Sequence, residues 1–376
     1  MVRKKILFIT GTRADFGKLK PLLSKCSDSE LFDVTIFVTG LHMLRKYGST
    51  WEEVKNVKYG SIFTFINQNE FDQMDSILAK TITGLSDFVK ETLPDLIVIH
   101  GDRTEALAGA IVGTFNNVRV AHIEGGEISG TLDEIIRHSI SKMSHLHFVA
   151  NNESQNRLVQ MGEDINRIFV IGSPEVDIMT GDSLPKLNVV KSHYDITFDN
   201  YNIVIFHPVT FEFQSMKEQM SELVEFILKE PANFVIIYPN NDLGSKLILD
   251  EFPIFETKTN IRIIPSMRFE YYLTLLKNAN SIIGNSSSGV REAPVYGIPS
   301  INIGTRQTNR SASSSILHCN ADYDAIKKTF AKLNTLKIEK SYHFGSGNSA
   351  QSFYNVLTQD STWKLPISKQ FIDLGN

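Results

Sequence analysis

Short apolar runs alternate with longer stretches of helical spacing through the first half of the chain. Residues 5–10, 33–38 (DVTIFV), 95–99 (DLIVI), 118–123 (VRVAHI), 146–150 (LHFVA) and 168–171 read as strands. Helical patterns fall between them, near 16–26, 71–91, 103–116, 131–144 and 153–160. Apolar runs bounded by turns and separated by helices predict a parallel sheet covered on both faces. A polar passage after GSPEVDIM, TGDSLPKLNVVKSHYDITFDNYN, lacks sheet periodicity and reads as a linker. The pattern restarts at NIVIF (202–206) and continues through NFVIIY (233–238), IRIIP (261–265), SIIG (281–284) and SINIG (300–304). The halves share an architecture without repeating residue by residue. The expected fold is α/β, with two Rossmann-like doubly wound domains around a central cleft and ligands beyond the carboxyl ends of the strands. The expected boundaries are 1–178 and 179–356, with a C-terminal helix at about 357–376 packing back on the first domain.

Composition narrows the function classes. A chain of 376 residues is comfortable for two domains. Its 42% hydrophobic and 21% charged content is that of an ordinary globular protein. A net charge of −4 argues against a general nucleic-acid binder, which needs a basic surplus. Cys26 and Cys319 stand in dissimilar surroundings and imply neither a disulfide framework nor a thiolate zinc site. The leading apolar run, Ile6 to Ile9, is four residues long and enters the first strand directly. It is neither a signal peptide nor a membrane span, and the expected location is cytoplasmic.

The candidate chemistry lies where strands end. ILFITGTRADFGKLKPLL (6–23) has the form of a strand, a turn and a helix. Gly11 and Gly17 alone cannot make a dinucleotide fingerprint, and the spacing to Gly17-Lys18 is one residue too long for a P-loop. Free N–H groups, a helix start and Arg13 nevertheless suit a phosphate. LIVIHGDRTEAL presents Asp102 and Arg103, VAHIEGGEISGTLDEIIRHSI presents His122, Glu124, Glu127, Asp133 and Glu134, and NIVIFHPVT ends at His207. Asp102 serves equally as a helix cap, and Asp133 as a favourable first-turn charge. Glu124 has no helix directly behind it. The spacings His122-x-Glu124 and His145-x-His147 raise a metal site as the competing reading, but no third ligand is persuasive. In the second half, Gly284-Asn285-Ser286-Ser287-Ser288-Gly289 enters a helix and offers N–H and hydroxyl donors to a diphosphate. Glu292, one turn in, is placed to accept from both ribose hydroxyls. The same loop also reads as a plain serine-rich cap.

Together these motifs resemble the UDP-N-acetylglucosamine 2-epimerase family, in its hydrolysing branch from bacterial sialic-acid biosynthesis. The resemblance runs through GTRADFGKLKPLL, VTGLHML, IHGDRTEALAGA, HIEGGEISGTLDEIIRHSISKMSH, LVQMGE, IGSPEVD, FHPVT, YPNND, PSMRFEYYL, GNSSSGVREAP and GTRQTNR. It implies the glycosyltransferase-B architecture and binding of UDP-GlcNAc and UDP. It also implies a homo-oligomer (dimer or tetramer), with no cofactor, metal, nucleic-acid or membrane partner. Asp102, Glu124 and Asp133 match the family's catalytic acids, and His207 joins them where the leaving diphosphate is met. Arg13, Arg103, Asn240, Ser286, Ser287, Glu292 and Arg306 match positions lining the UDP site. GTRAD and NSSS stand where the non-hydrolysing branch typically has GTRPE and DSGG. The implied reaction is anti elimination of UDP to 2-acetamidoglucal, then hydration to N-acetylmannosamine. Three rivals remain: a hydrolysing epimerase for UDP-diacetamidobacillosamine or a GDP-linked hexosamine, a retaining glycosyltransferase of the same fold, and a nucleotide-sugar-binding regulator without catalysis.

Overall fold

The apolar runs become buried parallel strands in a computed structural model that describes residues 3–129, 131–240, 243–311, 313–336 and 338–373. The chain divides into two units. One comprises 1–127, 133–181 and 344–376, and the other 128–132 and 182–343.

In the first unit, seven strands run β1 (Lys4–Thr10), β2 (Phe32–Val38), β3 (Ser61–Thr64), β4 (Leu96–His100), β5 (Arg119–Ile123), β6 (Leu146–Val149) and β7 (Ile168–Val170). They form a parallel sheet ordered β3-β2-β1-β4-β5-β6-β7. Phe8 in β1 sits beside Ile36 on one side and Val98 on the other. All three are buried, each worth about 1.5–3 kcal/mol of apolar transfer. The connecting helices are α1 (Arg13–Ser27), α2 (Trp51–Asn56), α3 (Met74–Thr92), α4 (Thr104–Phe115), α5 (Leu132–Met143), α6 (Asn152–Gln160) and α7 (Pro174–Thr180).

The second unit opens with α8 (Leu187–His193), followed by β8 (Asn202–Ile205), α9 (Met216–Lys229), β9 (Phe234–Ile237), α10 (Ser245–Leu249), β10 (Ile261–Ile264) and α11 (Phe269–Lys277). It continues with β11 (Ser281–Gly284), α12 (Glu292–Tyr296), β12 (Ser300–Ile303), β13 (Ile316–Cys319) and α13 (Tyr323–Lys332). The parallel sheet is ordered β10-β9-β8-β11-β12-β13. Its faces alternate as strand geometry requires: Val204, Phe234 and Ile236 enter one core, and Ile203, Ile205 and Val235 the other.

Three expectations change. The strands β3 and β13 were not anticipated; both lie at sheet edges, where partial exposure weakens the apolar signal. The polar passage expected as a linker contains α8, whose Val190 joins Ile196, Tyr201 and Ile203 in the second core. The return to the first unit begins at Phe344 rather than at about 357. The Phe344 carbonyl accepts from Ser173 N–H at 2.7 Å. Asp177 in α7 accepts from the N–H groups of Ser349 and Ala350 at 2.9 and 2.8 Å, holding the start of α14 (Ser349–Leu357). Phe353 then packs 4.6 Å from Phe148 between ring centroids. The closing helix is α15 (Asp360–Lys364). No described helix is long and apolar enough to cross a membrane.

Candidate functional site

Each sheet reverses its winding between two neighbouring strands, β1 and β4 in the first unit and β8 and β11 in the second. Crevices beyond the carboxyl ends at such switch points are the usual ligand sites of open α/β sheets. In the first unit Asp102 follows β4 through Gly101, whose φ of +74° favours a residue without Cβ. The N-cap of α4 is Arg103, so Asp102 is not the cap it could have been. Its carboxylate instead bonds the Arg137 guanidinium. Arg137 is buried on α5, one turn after Asp133, and a second of its nitrogens reaches the Glu127 carbonyl at 3.4 Å. Burial alone would lower its pKa, but Asp102, Glu127, Glu124 and Asp133 outweigh that and raise it. Arg137 is therefore a fixed cation among the candidate acids.

Glu124 leaves β5 with φ of +72°, an uncommon conformation for a residue with a side chain. Its carboxylate lies 2.9 Å from His100 Nε2 and 3.8 Å from Lys18 Nζ. Lys18 also stands 3.5 Å from the buried Glu175. The acids are thus interleaved with counter-charges from α1 and α5. Asp133 is half-buried in the first turn of α5.

The histidine spacings that suggested a metal are accounted for by internal bonds. His122 bridges the Gly101 carbonyl and the Ser141 hydroxyl, at 2.7 and 3.0 Å. His145 Nδ1 accepts from Val120 N–H at 3.1 Å, and His147 pairs with the buried Glu163 at 3.0 Å. Burial pushes His122 down to about 3 and His145 to about 4. No group of three or more His, Cys, Asp or Glu among the described residues could hold a metal ion.

The first turn differs from expectation. Its leading N–H groups are not free: Asp15 accepts from Gly11 and Thr12 at 3.0 and 2.9 Å, within a capping box. Arg13 is held in a fork by Glu53, at 3.0 and 2.6 Å. The carboxylate of Glu105 packs beneath the turn, where a Cβ on Gly11 would lie 2.7 Å from its Cδ. Arg103 Nε is 3.4 Å from the same carboxylate.

In the second unit His207 follows β8. Its Nδ1 accepts from Asn240 N–H at 3.0 Å, while its backbone N–H donates to Asn285 Oδ1 at 2.6 Å. Burial and then the Arg306 charge hold it well below the ordinary histidine range. His207 is consequently a neutral imidazole presenting Nε2–H. Arg306 and Gln307 both donate to the Asn285 carbonyl, at 3.3 and 3.0 Å. After β11, Ser286 Oγ accepts from Ser288 N–H at 3.3 Å, and Ser288 bonds the Tyr272 hydroxyl. Ser287 is half-buried in a 3₁₀ turn, Ser287–Gly289. The helix behind that turn starts at Glu292 itself, a turn later than expected, and Glu292 is buried beside Tyr272 and Tyr296.

Arg137, Glu53 and Glu175 were not singled out from the sequence, and Lys18, His100 and Asn285 stood there only as members of longer motifs. Asp133 and Arg137 stand four apart on one helix face, a spacing that could have revealed the second. The others are brought in only by tertiary packing.

Two doubly wound parallel sheets, each with polar groups at its switch point, define a two-Rossmann-domain protein of the glycosyltransferase-B-like class. The UDP-N-acetylglucosamine 2-epimerase family profile matches residues 24–358, and the chain belongs to this family. A UDP-N-acetylglucosamine 2-epimerase of Neisseria meningitidis serogroup B is 45% identical, across 99% of this chain and 100% of that protein. The UDP-N,N′-diacetylbacillosamine 2-epimerase (hydrolyzing) of Legionella pneumophila is 32% identical, across 99% of each. A crystal structure of a UDP-GlcNAc 2-epimerase from Neisseria meningitidis, bound to UDP-GlcNAc, superposes with a TM-score of 0.79. It is 19% identical and covers 94% of this chain and 99% of that one.

Proposed function

We propose that the protein is a hydrolysing UDP-N-acetylglucosamine 2-epimerase, converting UDP-GlcNAc and water to N-acetylmannosamine and UDP for sialic-acid or capsule synthesis. The observation that carries this reading is the acid cluster of Asp102 and Glu124, with Asp133 nearby and Arg137, His100 and Lys18 as fixed partners. Removing an unactivated C2 proton needs a base held close, and a proton delivered from the opposite face needs a second acid. A carboxylate takes the C2 proton, the C–H pair becomes the C1–C2 double bond, and the C1–O pair leaves with UDP. Water then bonds C1, passing its proton to a carboxylate, while the C1–C2 π pair takes a proton from an acid at C2 on the other face.

Asp102, Glu124 and Asp133 are assigned to the sugar. The nucleotide is assigned to Arg13, Arg103, Asn240, Ser286, Ser287, Glu292 and Arg306. His207 would offer a neutral N–H to the departing diphosphate. A diphosphate at Arg13 must share or displace Glu53, because both carboxylate oxygens now occupy the guanidinium. The homo-oligomer implied by the resemblance and the cytoplasmic location expected from the leading segment belong to the same proposal, the first measurable by light scattering.

The test is incubation with UDP-GlcNAc in D₂O without any acceptor sugar. UDP and N-acetylmannosamine carrying one deuterium at C2 are expected. Retention of the original C2 hydrogen would sink the elimination route, and donor consumed only with an acceptor would indicate a glycosyltransferase. An unconsumed donor would leave a binding protein. The whole-length likeness to the diacetylbacillosamine enzyme favours one second reading, a diacetamido donor, so UDP- and GDP-linked diacetamido sugars belong in the same assay.

A further inference from the structure

We propose that His122 is a positioning residue that keeps the three acid-bearing segments of the first unit in one register. The proposal rests on the assignment of Asp102, Glu124 and Asp133 to the sugar. His122 lies in β5, two residues before Glu124, and is fully buried. One ring nitrogen is 2.7 Å from the carbonyl of Gly101, the residue before Asp102. The other is 3.0 Å from the hydroxyl of Ser141, on the helix that carries Asp133 and Arg137. A carbonyl can only accept, so Nε2 carries the proton and Nδ1 accepts from Ser141. One ring therefore ties the end of β4, the end of β5 and helix α5.

The backbone around the ring is shaped to admit these bonds. A Cβ on Gly125 would lie 2.9 Å from Ser141 Oγ and 3.0 Å from His122 Nδ1, so the absent side chain at 125 is what admits this bond. The positive φ at Gly101 turns that carbonyl back toward β5 and sends Asp102 outward to Arg137. Burial keeps the ring neutral, which lets Nδ1 remain an acceptor at working pH.

Register matters because the proposed chemistry uses carboxylates on opposite faces of one sugar ring. Misplacement by about 1 Å can cost about 10²-fold in rate. The two half-reactions need not suffer equally. If protonation of C2 is the step left out of line, the glucal intermediate escapes.

The test uses His122→Phe, which keeps the ring volume and loses both bonds, and Ser141→Ala, which removes only the α5 tie. For His122→Phe, kcat should fall about 10–100-fold, with UDP affinity within about threefold of wild type and a raised fraction of free 2-acetamidoglucal. Ser141→Ala should move the same quantities the same way by about 3–10-fold, and carries the test by itself should the phenylalanine variant fail to fold. Wild-type kcat and wild-type glucal release in the folded variants, with only the melting temperature lowered, would overturn the proposal and leave His122 as core packing. A wild-type enzyme that releases no UDP from UDP-GlcNAc would instead overturn the functional assignment on which it rests.

Discussion

Unfolding at mildly acidic pH should draw protons from solution, because the buried histidines are held neutral. Burial pushes His42 and His145 down to about 4 and His122 to about 3, against an ordinary value of 6.5. The nearby Asp15 and Glu53 raise His42 again, but do not offset its burial. At pH 5.5 a histidine of ordinary pKa is about 0.9 protonated, while these three are almost wholly neutral in the native protein. Unfolding then takes up between about two and three protons from these three alone, and His147 and His207 shift in the same direction. The unfolded chain binds more protons between the folded and ordinary values, so stability rises with pH through that window. It is fully present above about pH 6.5 and is lost as pH falls toward 4, with a slope near pH 5.5 set by that difference in bound protons. The assay is a pH-stat titration on transfer to concentrated urea at pH 5.5, against a protein-free blank. It needs no two-state assumption, which two folding units would not guarantee. Uptake of less than one proton would refute the neutral assignments, and with them the donor and acceptor roles given to His122 and His207.

Three further outcomes follow from particular residues. Asp102→Asn or Glu124→Gln should lower turnover by about 10²–10⁴-fold with UDP affinity nearly intact, whereas Ser287→Ala should mainly weaken UDP; kinetics and calorimetry with UDP would expose the reverse pattern. Arg137→Met should cost about 1–3 kcal/mol of stability, since it takes the guanidinium from the partly exposed Asp102 carboxylate and from the Glu127 carbonyl; an unchanged denaturation midpoint would mean the guanidinium is not needed there. Cys26, fully buried with its thiol pushed up to about 12, should resist a thiol reagent in the native protein and react on unfolding; prompt native labelling of two thiols would contradict this packing.

The strands of both sheets were legible because buried parallel strands carry nearly unbroken apolar runs, as in Ile6 to Ile9 and Leu96 to Ile99. The edge strands Ser61–Thr64 and Ile316–Cys319 were not, since an edge residue half in solvent need not be apolar. A similar dilution hid α8, which commits little more than Val190 to the core. At the site, what could be read was the residue that follows a strand: Asp102, Glu124, His207 and Ser286 all stand just past a run that ends in glycine or a turn. What could not be read was where the compensating charge comes from. Arg137 reaches Asp102 across 35 residues, and Glu53 reaches Arg13 across 40. Such pairs depend on how helices pack over the sheet, and nothing local in the chain encodes them.

The same limit applies to the first turn, whose partner Glu53 lies outside it. A strand-to-helix turn with an arginine offers an anion seat only while its N–H groups are unspent. Asp15, three residues into the helix cap, spends two of them, and Glu53 spends the arginine. A phosphate placed there under the proposed assignment would meet an arginine already paired with Glu53, and would either share the guanidinium or displace the carboxylate. An exchange of like partners contributes little net affinity. It does make the gain depend on geometry, because only a group that reaches Arg13 in the forked arrangement can match what Glu53 gives up. Under the proposed nucleotide assignment, Arg13 would discriminate among ligands more than it attracts them.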